Sequence, residues 1–164
     1  MNLYKKITWI LILFSVIFII GFVIIVVNHN KGNAYTNLSN LKIDKLKIGS
    51  KLNQRQFYKR EDVTLKKIHV YSMVTHPDFI IIVNKHSDRV VGMTLINDEK
   101  LHTNYGWNIG DDISKVKASL GKNGDEKALH NGFKSLIFID KTHKIKLFII
   151  HKHNKIKKIE IHNI

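Results

Sequence analysis

The chain has 164 residues and is strongly basic, with 27 Lys and Arg against 13 Asp and Glu and a formal net charge of +14. It contains no cysteine, which excludes disulfides, a thiol nucleophile, Cys-ligated zinc and the lipid-bearing cysteine of a bacterial lipoprotein. The folded part must therefore be stabilised by packing alone, and a surface of this charge is expected to attract polyanions.

The first segment, from Ile7 to Val27, is apolar and holds no charged side chain. A transmembrane helix needs about 20 apolar residues, whereas the apolar region of a secretory signal has about 7 to 15. We therefore predict an uncleaved transmembrane helix over residues 7–27 rather than a cleaved signal peptide. Its anchoring side chains would be those of Ile7, Trp9, Phe14, Phe18, Phe22 and Val27.

The residues that flank this segment indicate its orientation. Lys5 and Lys6 form a short basic tail without acidic residues, which is typical of a cytoplasmic end. The prediction is a cell-membrane protein that spans the bilayer once, with a cytoplasmic tail at residues 1–6 and an extracytoplasmic C-terminal domain. Residues 28–40 (NHNKGNAYTNLSN) are rich in Asn, Ser and Gly, and we interpret them as a linker.

The rest of the sequence repeats itself. Residues 67–97 (KIHVYSMVTHPDFIIIVNKHSDRVVGMTLIN) align with residues 134–163 (KSLIFIDKTHKIKLFIIHKHNKIKKIEIHN), and Asp88 is the one inserted residue. The turn residues that match are Thr75-His76 with Thr142-His143, and Lys85-His86 with Lys152-His153. Because turns match as well as strands, we predict a duplication, with repeat 1 at residues 41–98 and repeat 2 at residues 99–164.

Each repeat predicts a helix followed by three strands. In repeat 2, Asp111 or Asp112 caps a helix that ends at Gly121. Its apolar positions are Ile113, Val116, Ala118 and Leu120. The β-branched runs predict strands at residues 68–74, 79–85, 89–96, 135–140, 144–151 and 155–162. Repeat 1 has a weaker helix pattern at residues 51–59. The predicted fold class is α+β, an N-terminal transmembrane helix followed by two tandem helix-plus-antiparallel-meander repeats.

Residues 107–122 (WNIGDDISKVKASLGK) resemble the I-G-D-S-x-x-x-V-x-x-x-L-G-K-P opening of small bacterial envelope modules of the outer-membrane lipoprotein SmpA/OmlA and β-lactamase-inhibitor-protein type. The tandem pair resembles more closely the CAP-associated N-terminal domain of secreted or membrane-anchored Firmicutes proteins, here without the CAP domain. Asn123 stands where that family usually has proline, and repeat 1 lacks the Leu-Gly helix end. The resemblance implies an extracytoplasmic module of helices on sheets that binds a partner rather than catalysing a reaction.

Histidines are numerous for a chain of this length, with 10 in total, and are candidate metal ligands. His151 and His153 are two apart on a predicted strand and would leave one face of it, and His86 with His143 or His162 could complete a zinc or copper site. The alternative is that they are exposed turn residues beside lysines. We favour that alternative, so no metal and no cofactor is predicted.

A catalytic site is not predicted either. No serine lies in a nucleophile-elbow context, and the sequence has no HExxH string and no phosphate-binding glycine loop. The carboxylate pair Asp111-Asp112 stands at a helix start, where capping explains it. Trp107 either exposes its indole to a ligand or, as is more common, packs on the helix. The chain is therefore not predicted to be an enzyme.

The leading functional hypothesis is a non-catalytic binding module of a Gram-positive cell envelope, which contacts an envelope protein through a sheet face or a basic rim. The alternative is electrostatic binding of an anionic polymer such as teichoic acid. The candidate binding rim consists of Lys152, Lys155, Lys157 and Lys158. Nucleic acid is not an expected partner, and the sequence leaves the oligomeric state open.

Overall fold

Eight antiparallel strands form one sheet in the computed structural model, which describes residues 36–63 and 65–164. The strands are β1 (Phe57–Lys59), β2 (Ile68–Met73), β3 (Phe79–Asn84), β4 (Arg89–Ile96), β5 (Asp125–Ala128), β6 (Phe133–Asp140), β7 (Ile145–Lys152) and β8 (Lys155–Asn163). Their order in the sheet is β1-β2-β3-β4-β8-β7-β6-β5. Helix α1 (Ile113–Leu120) is the one α-helix of the described residues, and 3₁₀ turns occur at Gln54–Gln56 and His130–Gly132.

The sheet has one buried face, which we call the core face, because apolar residues recur at every second position. In β3, Phe79, Ile81 and Val83 are buried while the residues between them are partly exposed, as expected from a two-residue side-chain period. The same alternation occurs along β7. These strands are rich in β-branched residues, which pack well on a pleated surface.

The two four-stranded halves are joined by the pairing of β4 with β8. In the register of this pair, Met93 lies opposite Ile161 and Leu95 lies opposite Ile159. All four side chains have 0% exposure. The buried side chains of both halves therefore belong to one hydrophobic cluster rather than to two separate cores.

The core face is covered by α1 and by loops that carry large apolar side chains. Helix α1 buries Ile113, Val116 and Leu120, and the preceding loop buries Trp107, which has 0% exposure. The segment before β1 buries further apolar residues. These are Leu38, Leu41, Ile43 and Leu52.

The predicted fold class was wrong. The described residues form a single eight-stranded sheet with one helix, not two helix-plus-meander repeats, and residues 51–59 contain a 3₁₀ turn and strand β1 instead of a helix. That segment lacks a glycine end signal, and its Phe57 is buried by pairing with Met73 across the sheet. The predicted strands and the second helix are present, with ends that differ by a few residues.

The predicted membrane span falls on residues that the structure does not describe. Among the described residues no helix has both the length and the apolar character needed to cross a bilayer. Residues 7–27 and all six anchoring side chains, from Ile7 to Val27, lie outside the described residues.

The folded domain begins before the predicted boundary at Leu41, because a buried carboxylate binds the preceding segment. Asp140, at the end of β6, accepts the Leu38 N–H at 2.8 Å and the His143 N–H at 2.9 Å. Its other contact is the His143 ring, whose Nδ1 lies 2.8 Å from Oδ2. Thr36 and Leu38, which the composition assigns to a linker, are consequently buried.

Replacement of Asp140 by alanine is expected to lower the free energy of unfolding by about 1–3 kcal/mol, because buried N–H groups lose their acceptor. Burial alone would raise the pKa of Asp140, but the hydrogen bonds from His143 and Leu38 hold it below its usual value. The carboxylate therefore stabilises the fold above its unfolded-state pKa of about 3.9, and this contribution disappears as the pH falls further. Urea unfolding at several pH values should show wild type and Asp140→Ala converging in acid. A difference that does not vary with pH would contradict the assignment.

Candidate functional site

The side of the sheet opposite the core face is partly accessible, although Val70, Ser72 and Ser135 on it are buried, and we call it the open face. Cross-strand register shows which residues share it. One row across the strands contains Ile137, Phe148, Glu160, Thr94 and Ile80. A second row contains Ile139, Lys146, His162, Gly92 and Ile82. A third contains Ile150, Lys158 and Ile96. The open face thus places a polar central strand, β8, between two flanks that are largely apolar.

Aromatic, cationic and acidic groups are in contact on this face. The rings of Phe148 and His162 are stacked with centroids 5.8 Å apart, and Lys146 Nζ lies 4.4 Å from the centroid of Phe148. Glu160 binds Lys158 Nζ at 2.5 Å through one carboxylate oxygen, and its other oxygen is 3.6 Å from His162 Nδ1. These side chains hold each other in place and form an ordered surface rather than a set of independent charges.

The open face is exposed enough to make contact with a partner. Ile139 is 42% exposed, and the side chains of Lys158, Glu160 and His162 are about one third exposed. Partly exposed apolar side chains next to polar groups are typical of protein interaction sites. The residues of this site are present in the predicted strands, but only the alignment of the strands in the sheet shows that they share one face.

The structure divides the four lysines of the predicted binding rim between different environments. Lys152 lies over the Phe133 ring, with Nζ 5.0 Å from the centroid, and Lys158 is paired with Glu160. Lys155 and Lys157 are exposed, and Lys157 is the extra residue of a β-bulge, because Ile150 pairs with Lys158 and His151 with Ile156. The four side chains therefore do not form one uniform patch.

The candidate histidine ligands are also dispersed. His151 lies on the core face with 2% exposure, whereas His153 is in the β7–β8 turn with a φ of 50° and is exposed. His143 bonds to Asp140, and His162 stacks on Phe148. Within residues 36–63 and 65–164, no group of three or more His, Cys, Asp or Glu side chains could hold a metal ion.

The residues at the start of α1 have structural contacts. Asp112 is the N-cap and accepts the Ser114 N–H at 2.9 Å, and the hydrogen bonds from Ser114 lower its pKa. Asp111 binds Lys115 Nζ at 2.5 Å. Trp107 is fully buried and donates its indole N–H to Ser119 Oγ at 3.0 Å, so it packs on the helix and does not reach a ligand.

One buried polar atom on the core face has no partner. Nε2 of His151 makes no hydrogen bond, and the ring is buried at the end of β7 near the start of α1. Burial is the largest influence on this imidazole and lowers its pKa, with a smaller contribution of the same sign from Lys117 and an opposing one from Glu126. A buried imidazole of this kind is neutral in the folded protein.

His151 should make the fold sensitive to mild acid. The unfolded chain takes up a proton near the usual histidine pKa of about 6.5, before the folded chain does, so stability falls as the pH drops below that value. The contribution of one group is at most about 1.4 kcal/mol per pH unit. Denaturant unfolding between about pH 7.5 and 5 should show a smaller loss in His151→Leu than in wild type. The control, His153→Asn in the exposed turn, should retain the wild-type slope, and equal slopes in all three proteins would contradict the prediction.

The fold and the open face together define a single-sheet β protein with a partly accessible face, built from residues 36–63 and 65–164. Comparisons with protein-family models, with curated proteins and with solved structures find no match for this chain. The resemblance of residues 107–122 to small envelope modules, and of the tandem pair to the CAP-associated N-terminal domain, therefore stays a prediction from the sequence.

Proposed function

We propose that this domain is a non-catalytic interaction module that binds a protein partner with the open face of its sheet. The observation that supports this proposal is the ordered contact among Phe148, His162, Lys146 and Glu160, flanked by partly exposed apolar side chains. Protein interfaces combine apolar area with charged groups in this way. The module is proposed to act at the cell envelope, on the resemblance of residues 107–122 alone.

The chemistry of the open face favours a partner of a particular kind. Lys146 and Lys158 are cations on this face, and Glu160 is the carboxylate that accompanies them in the three rows. A complementary surface would carry carboxylates opposite the lysines and apolar groups opposite the two flanks. Teichoic acid bound at the predicted rim is less well supported, because Lys152 and Lys158 already contact Phe133 and Glu160.

A photo-cross-linking amino acid at Ile139 tests the proposal in cells that express the full chain. The matched control position is Tyr105, which is 39% exposed against 42% for Ile139 but lies in the loop before Trp107. We expect one protein to be captured from position 139 and not from position 105. Capture should persist at high salt, since contacts of the apolar flanks are not screened, whereas polymer binding would weaken steeply.

Substitution of a second open-face residue, with the cross-linking amino acid kept at position 139, is expected to abolish this capture without unfolding the domain. Ile137→Glu adds a charge to the same apolar flank on β6, and loss of an apolar interface contact costs on the order of tenfold or more in affinity. Tyr105→Glu, with the cross-linker also at position 139, is the control, and both variants should keep the melting temperature of the unsubstituted protein. If Ile137→Glu captured as much as the unsubstituted protein while Lys155→Gln with Lys157→Gln captured nothing, the open-face proposal would be wrong.

A further inference from the structure

A basic cleft lies away from the open-face cluster, at the end of the sheet where β3 turns into β4. Five residues line it: Lys66, Lys67, Asn84, Lys85 and His86. Its volume is about 490 Å³. The strand ends are held together there, because the Lys85 N–H donates to the Lys67 carbonyl at 3.1 Å. Three lysines and an imidazole thus converge from two chain segments, and no lining residue carries a carboxylate.

The cleft is ordered by hydrogen bonds that keep its shape. Lys85 Nζ donates to the Leu65 carbonyl at 2.7 Å, which ties the segment before β2 to the turn after β3. Asn84 Oδ1 accepts the N–H groups of His86 and Ser87 at 2.9 and 3.1 Å. The amide nitrogen of Asn84 makes no hydrogen bond with the described residues, so it is a further donor for a ligand.

The three cleft lysines have no described carboxylate within ion-pair distance, a property that they share with other described lysines such as Lys155 and Lys157. The sequence alignment of the halves gives a more specific comparison. Lys134, which aligns with Lys67, binds Glu126 at 3.1 Å, and Lys152, which aligns with Lys85, lies over Phe133. The two aligned lysines of the second half therefore have side-chain partners that the cleft lysines lack.

We propose that this cleft binds a phosphate group of a phosphodiester, by the lysine side chains and the Asn84 amide. Phosphate fits because converging ammonium groups are point charges that bind its oxygens. Nucleic acid is the less suitable phosphodiester, because proteins that bind single strands provide aromatic stacking surfaces, and His86 is the one ring that lines the cleft. The site is independent of the open face and of the partner proposed for it.

Isothermal titration calorimetry of the full chain tests the site with two dissolved probes. One is an oligomer of glycerol phosphate, and the other is the short-chain lipid dihexanoylphosphatidylglycerol below its micelle concentration. Lys66→Gln with Lys67→Gln should weaken binding by about tenfold or more, because two charges in contact with the anion are lost. The fold should be unaffected, since both side chains are exposed.

The matched control is Lys155→Gln with Lys157→Gln, which removes the same charge from exposed positions at the β7–β8 turn. It should change the affinity by less than about twofold. Binding of either probe with this pattern supports the site, and the probe that binds more tightly identifies the source of the phosphate. Equal weakening by both double variants, or no binding of either probe at millimolar concentration, would overturn the proposal.

Discussion

The pairing of β4 with β8 is the constraint from which the rest of the structure follows. Four side chains without exposed surface face each other across this pair: those of Met93, Leu95, Ile159 and Ile161. The buried faces of the two halves are therefore continuous. Burial of apolar side chains is the main stabilising contribution in a chain without disulfides. The same pairing makes β8 a central strand, which places its polar side chains in the middle of the opposite face.

Two kinds of structure cover the core face. Helix α1 contributes three buried side chains, and an irregular segment before β1 contributes further buried apolar residues. An irregular cover needs partners for its backbone groups, and Asp140 supplies one for Leu38. The Asp140 carboxylate at the end of β6 therefore stabilises the fold together with the apolar cluster.

Local chemistry made six of the eight strands and α1 predictable from the sequence. Runs of β-branched residues indicated these strands, and α1 was framed by a capping aspartate and by Gly121, whose φ of 83° favours glycine. The absence of a first helix was not predictable in this way, because β1 exists through the pairing of Phe57 with Met73, which is distant in sequence. The candidate site depended on the same non-local information. A bulge at Lys157 shifts the register of the predicted rim, and the contact of Phe148 with His162 requires the alignment of β7 with β8.

The outermost strands limit the ways in which copies of this domain can associate. Strand β1 has three residues and β5 has four, and all residues of β5 are exposed, among them Asp125, Glu126 and Lys127. Short edge strands with charged residues resist the addition of another strand, which is the step that propagates fibrils. The isoleucine-rich strands between them are therefore shielded from the edge-to-edge pairing by which one folded domain would extend the sheet of another.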